Sequence, residues 1–493
     1  MAVLDYYLSK SQFLTGLRCH KYLWWLVHEP EAPELRPSDI LLDRFDQGRE
    51  VGERARTYVP GGELIGTPFV PLAERIELTR RALASGAPVL YEAAFEADGV
   101  RVIVDIFERT ADGFTLIEVK QNTSVKPEHI PDAAIQVHVA RRAGVPITRV
   151  EVMHLNDECR FPDLSNLFSR ADVTTEVQNV LPGLAEAIQG QRQAVAGPLP
   201  DVPIGDHCRR PTPCPFMSRC WPRLPKYHIT TLYRLHAKKL SRLQDLGVET
   251  IPSIPDDFKL TATQARQRGA IRAGRVLVEP TLGPALQRIR EPLAFLDFET
   301  VARAVPVWHG CRPWQQVPAQ FSCHVRREDG QTEHHEWLAD GPGDPRRELA
   351  TRLIEACQDV HQVLAYNASF EQDCILHLAD VFPDLREQLL RIAERLGDLL
   401  PIVREGVYHP EFNGGFGLKA VAPALVPEVS YDDLVIASGG EATLELARLL
   451  LTTDELGREE RQDVRRQLLE YCKRDTWCLV RLLDRLRDLV GAA

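Results

Sequence analysis

The stretch "DHCRRPTPCPFMSRCW", residues 206–221, carries Cys208, Cys214 and Cys220 at equal spacing, with Pro211, Pro213 and Pro215 ruling out a regular helix through all three. Three converging thiols suit a soft metal or an iron–sulfur centre. Such centres usually take four protein ligands, so the fourth must come from elsewhere in the chain. A second constellation lies upstream. Asp105 is expected in one strand, and Glu118 and Lys120, two apart in the next, project from one face. Two carboxylates beside an ammonium suit Mg2+ or Mn2+ and can stabilise charge on a phosphate in transfer. Gln136, on the following helix, is placed to hold substrate or the attacking water. Taken alone, E-x-K on a strand is more often a solvent-facing ion pair.

A third constellation begins at "LAFLDFET", where Asp297 and Glu299 alternate in an apolar strand. Two acids in a buried run are costly unless paired or metal-bound. Further on, "AYNASFEQDC" offers Asn367 and Glu371, and "LLEYCKRDTWC" offers Tyr471 and Asp475, four apart and so on one helical face. Four acids in that arrangement can hold two Mg2+ ions about 4 Å apart for in-line displacement at phosphorus, with Tyr471 positioning the water.

The elements that must position these groups follow from alternation and punctuation. "PVLYEAAF", "VRVIVDIFER" and "FTLIEVK" read as strands, the last two joined by a turn at "TADG", and "DAAIQVHVARRAG" as a helix ending at Gly144. Residues 163–195 read as helical. From about Pro292 strands alternate with helices up to a final helix over 458–489. The glycines of "NGGFGLKAV" predict either a turn or a close backbone approach to a phosphate.

At 493 residues the chain is too long for one core, and 44% hydrophobic with 26% charged residues places it among globular α/β multidomain proteins. No apolar run reaches membrane-spanning length and the start lacks a basic leader. Eleven cysteines without an export signal predict a reducing, cytoplasmic setting, where clustered thiols more often bind metal than form disulfides. A net charge of −11 argues against indiscriminate coating of nucleic acid. Between Arg223 and Arg275, however, eleven Lys or Arg stand against four acids, a local +7. Lys238, Lys239 and Arg242 head that belt, which is either a phosphate-binding surface or a solvated helical face. No P-loop signature occurs, so any helicase, repair or defence partner is expected from another chain.

Asp105, the "EVK" of Glu118–Lys120 and the helical Gln136 together resemble the RecB-like branch of the PD-(D/E)XK nucleases. In iron–sulfur members of that branch one cysteine precedes the nuclease core and three follow it. The resemblance therefore implies that Cys19, in "FLTGLRCHKYLWW", joins Cys208, Cys214 and Cys220 around a 4Fe-4S cluster that clips the two ends of the domain together. Zinc is the alternative metal, and His20 and His207 are alternative donors of lower rank.

Asp297, Glu299, Glu371, Tyr471 and Asp475 resemble the DEDD exonucleases of the RNase H-like fold, in the subclass whose last motif is Y-x3-D. The usual middle motif N-x-x-F-D is here "NASFE", so Glu371 stands where Asp is usual. Asp398, in "GDLLPI", is read as support for the fold or the substrate channel. Almost the whole chain looks like a bacterial family of uncharacterised proteins that join these two halves. That resemblance implies a RecB-like domain over 1–222, a basic helical module over 223–285 and an RNase H-like domain over 286–493. That family has no assigned activity, so the function rests on the two sites, whose resemblances imply metal-dependent hydrolysis of phosphodiesters, with DNA favoured and a 3′–5′ exonuclease-like second site. The competing readings are a nucleic-acid-binding scaffold with inactive sites and an RNA-processing exonuclease.

Overall fold

The computed structural model describes residues 6–67, 69–221, 224–452 and 456–491. The chain divides into two compact units: Met1–Pro222 with Arg303–Gln315, and Arg223–Ala302 with Gln316–Ala493. Residues 223–285, expected as a separate module, lie in the second unit, and residues 303–315, expected in the C-terminal domain, lie in the first. Arg223, the first cation of the expected basic belt, lies outside the described residues.

The first unit is built on one mixed sheet of β1 (Leu8–Ser9), β2 (Glu63–Leu64), β3 (Val89–Ala97), β4 (Val100–Thr110), β5 (Gly113–Lys120), β6 (Ile147–Leu155) and β7 (Phe168–Asp172). The order is β2-β3-β4-β5-β6-β7, with β1 beside β4. The alternating segments β3, β4 and β5 pair antiparallel, and Ile106 lies opposite Ile117, which brings Asp105 level with Glu118. The helix His129–Arg142 crosses from β5 to β6, which therefore pair parallel. Its Ala133, Ala134, Ile135 and Val137 are fully buried in the core. The expected helix over 163–195 is instead β7 followed by helices Thr174–Val180 and Leu184–Ala196. The polar, weakly periodic start of that stretch takes strand pairing offered by β6.

In the second unit, β8 (Leu277–Val278) pairs with a later strand, and the main sheet contains β9 (Leu293–Val301), β10 (Val317–Arg326), β11 (Thr332–Leu338), β12 (Gln362–Ala365) and β13 (Leu396–Asp398), in the order β11-β10-β9-β12-β13. The partner of β8 is β14 (Val407–Tyr408). β9, β10 and β11 run antiparallel, while β12 and β13 are parallel to β9. The helix Arg458–Gly491, two residues longer than expected, buries Leu468, Cys472, Leu479, Leu482 and Leu486 on one side. Both units are mixed α/β.

Gly414 has the close approach expected of "NGGFGLKAV", but to protein. It sits at φ +78°, and a Cβ there would fall 2.0 Å from the carbonyl oxygen of Thr231. Among the described residues no cysteine is in a disulfide. No helix among the described residues is long and apolar enough to cross a membrane.

Candidate functional site

Ser9 caps the helix Lys10–Arg18 through a capping box with Gln12, which fixes Lys10 as its first residue. From there Lys10 Nζ reaches Glu118 Oε1 at 2.8 Å and Asp132 Oδ1 at 3.0 Å. Lys120 Nζ also lies 2.8 Å from Glu118 Oε1 and bonds Asp132. Gln136 donates to Glu118 Oε2 at 2.6 Å, one turn along the helix from Asp132, and leaves its own buried Oε1 without a partner. Asp105 Oδ2 accepts the Val119 amide at 2.7 Å. The structure thus brings together Asp105, Glu118, Lys120 and Gln136, and adds Lys10 and Asp132. Burial, reinforced by Glu118, pushes the Asp105 carboxyl up to about 7. Burial would also raise Glu118, but Lys10 and Lys120 outweigh it and hold that carboxyl well below its usual range. A cleft of about 730 Å³ opens onto Asp105 and Lys120. One of its walls is the helix Asp39–Tyr58, through Arg44, Phe45, Gly48 and Gly52.

In the same unit Cys19 is the extended residue between helices Lys10–Arg18 and His20–His28. Cys19, Cys208, Cys214 and Cys220 line one narrow cavity with Arg18 and Met217. The surrounding chain is tied independently of any metal. Arg18 donates to the His207 and Thr212 carbonyls, Phe216 packs on Trp25 with ring centroids 4.9 Å apart, and Arg219 bridges Glu29 and Glu34. A tetrahedral zinc site would need sulfurs roughly 3.8 Å apart, given Zn–S bonds of about 2.3 Å. No three of these thiols lie within 4.8 Å of one another. Four thiols lining one space are a donor set of the kind that thiophilic metal centres take. His207 Nε2 stands 3.5 Å from Cys208 Sγ, so it is a neighbour of the thiol set.

In the second unit, Asp297 and Glu299 project from β9, and Tyr471 and Asp475 face them from the helix Arg458–Gly491. Glu371 comes from the helix Ser369–Val381, 3% exposed, with its Oε2 unpartnered. Burial together with repulsion from Asp475 and Glu371 raises Asp297 far above the usual carboxylate range, and burial with Asp297 does the same to Glu299. Burial and the nearby Asp398 push Glu371 up to about 8. Lys419 is the cation that partly offsets this for Asp297, Glu299 and Asp475. Its Nζ donates to Tyr471 OH at 2.9 Å, while Tyr431 OH donates to Asp475 Oδ1 at 2.5 Å. Lys419 and Tyr431 were missed in the sequence. Asp398 accepts the amides of Asn367 and Leu400, each at 2.9 Å, and so supports the turn that carries Glu371.

The basic belt is less free than its charge count predicts. Arg268 and Arg272 pair with Asp256, Arg266 with Glu279, and Lys226 with Glu411. Of the three cations singled out, Lys238 and Arg242 are exposed on the helix Ala237–Asp245, whereas Lys239 donates to Gln264 at 2.7 Å.

The two mixed α/β units thus carry two buried carboxylate centres and one thiol-lined cavity. Residues 294–417, which include Asp297, Glu299 and Glu371, match the profile of a domain of unknown function, DUF2779. The chain is 25% identical over 228 residues to the uncharacterized protein MG366 homolog of Mycoplasma pneumoniae, which covers 41% of this chain and 33% of that protein. It is 21% identical over 224 residues to the uncharacterized protein MG366 of Mycoplasma genitalium, with the same coverage. The chain thus spans about a third of the length of the curated relatives it matches.

Proposed function

We propose that this chain is a metal-dependent nuclease that hydrolyses phosphodiester bonds of nucleic acid, DNA in preference to RNA. The RecB-like centre is Asp105, Glu118, Lys120 and Gln136, and the 3′–5′ exonuclease-like centre is Asp297, Glu299, Glu371, Tyr471 and Asp475. The observation that carries this reading is the second centre. Burial raises the proton affinity of all four carboxylates, their neighbours raise Asp297 and Glu299 further, and Lys419 is the cation facing Asp297, Glu299 and Asp475. Such a group is stable when ionised only if further positive charge enters. Bound Mg2+ or Mn2+ supplies that charge, an activated water and polarisation of the phosphate.

The chain's own residues do the rest. Tyr471, held by Lys419, orients a water beside Asp297 and Glu299. At the first centre Lys120 offers an ammonium to the phosphate, and Gln136 fixes the Glu118 carboxylate. The thiols of Cys19, Cys208, Cys214 and Cys220 hold a 4Fe-4S cluster as a structural clip, joining residues almost 200 positions apart.

One observation favours a second reading for the first centre. Lys10 and Lys120 already neutralise Glu118 and Asp132, as expected of an internal ion-pair network in a nucleic-acid-binding scaffold. The test is degradation of end-labelled single- and double-stranded DNA and RNA with Mg2+ or Mn2+. Wild type should cut, Asp297→Ala should lose stepwise 3′ trimming, and Asp105→Ala should lose the remaining cleavage. Retention of every cleavage product by Asp105→Ala would assign the first centre to the scaffold reading, and no cleavage of any substrate by wild type would remove the nuclease altogether.

A further inference from the structure

Cys472 follows Tyr471 and precedes Asp475 by three positions on the helix that faces β9. Its Sγ is fully buried and stands 3.4 Å from Asp297 Oδ2. Asp297, Glu299 and Cys472 each offer one ligand atom, and all three atoms lie within 4.8 Å of one another, the one such trio among the described residues. A separate element supplies a second observation. Glu371, close enough to Asp297 to raise its proton affinity, keeps a buried Oε2 with no hydrogen-bond partner. A buried acceptor left unmatched costs about 1–3 kcal/mol, so its retention points to a ligand that satisfies it.

We infer that Cys472 is a thiolate ligand that makes the second centre a site for a thiophilic divalent metal, Zn2+, in competition with Mg2+ for Asp297 and Glu299. Oxygen-only sites suit Mg2+, whereas one thiolate among carboxylates shifts preference towards zinc. Without metal the thiol keeps its proton and donates an S–H hydrogen bond to Asp297 Oδ2. When sulfur bonds the metal, the S–H bond breaks, the proton passes to solvent, and Asp297 exchanges its S–H donor for the cation. The inference deepens the proposed second centre and rests on that reading only for its effect on cleavage.

Cd2+ serves as the probe, because thiolate–Cd2+ charge transfer absorbs in the near ultraviolet and carboxylates contribute nothing there. The full-length chain is titrated as wild type, Cys472→Ser, Cys472→Ala, Asp297→Asn and Cys478→Ser. Absorbance from the four-cysteine cavity is common to all and cancels in differences. Wild type minus Cys472→Ser should leave one saturable band, Asp297→Asn should weaken that band's affinity about tenfold or more, and Cys478→Ser should keep it. Zn2+ added against Mg2+ should inhibit trimming, with Cys472→Ser needing at least about tenfold more Zn2+. Identical Cd2+ titrations for wild type and both Cys472 variants, with unchanged thermal unfolding, would overturn the inference and leave the thiol as a hydrogen-bond donor to Asp297. If the band is present but no metal supports cleavage, the nuclease reading falls and the metal site stands.

Discussion

Lys10 Nζ donates to Glu118 Oε1 at 2.8 Å across 108 residues of chain, and it shares that oxygen with Lys120. Glu118 is 1% exposed, so its negative charge depends on these two cations, with Gln136 bonding the other oxygen. The first helix is thereby tied to the middle of the sheet by charge as well as by its apolar face.

Removing one partner of that pair should be costly. Lys10→Met leaves Asp105, Glu118 and Asp132 facing Lys120 alone. A loss of about 3 kcal/mol is expected, with a fall of roughly 6–12 °C in the unfolding midpoint of the first unit. Saturating Mg2+ should restore part of it. An unchanged melting profile would mean that Glu118 is compensated without Lys10.

Proton linkage gives a second test. Asp105, at about 7, and Glu371, at about 8, hold protons in the folded chain that the unfolded chain has lost above about pH 4. In chelator, their contribution to stability is therefore complete below about pH 4 and is lost as pH rises through 7 to 8. Glu118 acts oppositely, contributing above its unfolded value and losing that contribution only in strong acid. Thermal unfolding in EDTA should fall from pH 5 to 8. With saturating Mg2+ the slope should reverse, because ligands must be ionised to bind it. A rise with pH in EDTA would contradict the protonated assignment.

Iron content tests the thiol cavity. Anaerobically purified protein should be brown, with about four irons per chain. Cys19→Ser should bleach it as fully as Cys214→Ser, because both thiols line the same space. Full iron in Cys19→Ser alongside loss in Cys214→Ser would show that the long-range clip is not formed.

The basic helix separates binding from folding. Lys238→Glu with Arg242→Glu should weaken binding to any nucleic-acid sequence and lower the slope of log affinity against log salt by about 2. Lys239→Ala should act mainly on stability, since its ammonium bonds Gln264, which also reaches the Tyr233 carbonyl. Unchanged affinity across a salt titration in the double variant would make this a solvated face.

What could be read beforehand follows local spacing. Glu118 and Lys120 share a face because strands alternate, and Tyr471 and Asp475 share one because helices repeat near four. Asp105 lands beside Glu118 because a short hairpin sets the register. Lys10 carried only a local signal, the Ser9–Gln12 capping box, which marks a helix start and says nothing of what its first side chain meets. Lys419 and Tyr431 approach Tyr471 and Asp475 through long-range packing, for which no periodicity exists. The belt's net charge was countable in sequence, but Glu279 and Glu411, which neutralise parts of it, lie outside the counted segment.

The segment Arg303–Gln315 belongs to the first unit, where Arg303 pairs with Asp43, the Ala304 amide with Gln47 and the Trp314 indole with the Gln121 carbonyl. It is flanked in the chain by β9 and β10 of the other unit. A cut at residue 222 therefore does not yield two self-sufficient halves. The N-terminal piece would lack a segment of its own unit, and the C-terminal piece would display Val305, Trp308 and Cys311, buried in the intact chain, to water. The DUF2779 match, residues 294–417, spans this crossing. The matched stretch therefore coincides with neither compact unit: it begins in one, passes through thirteen residues of the other and returns.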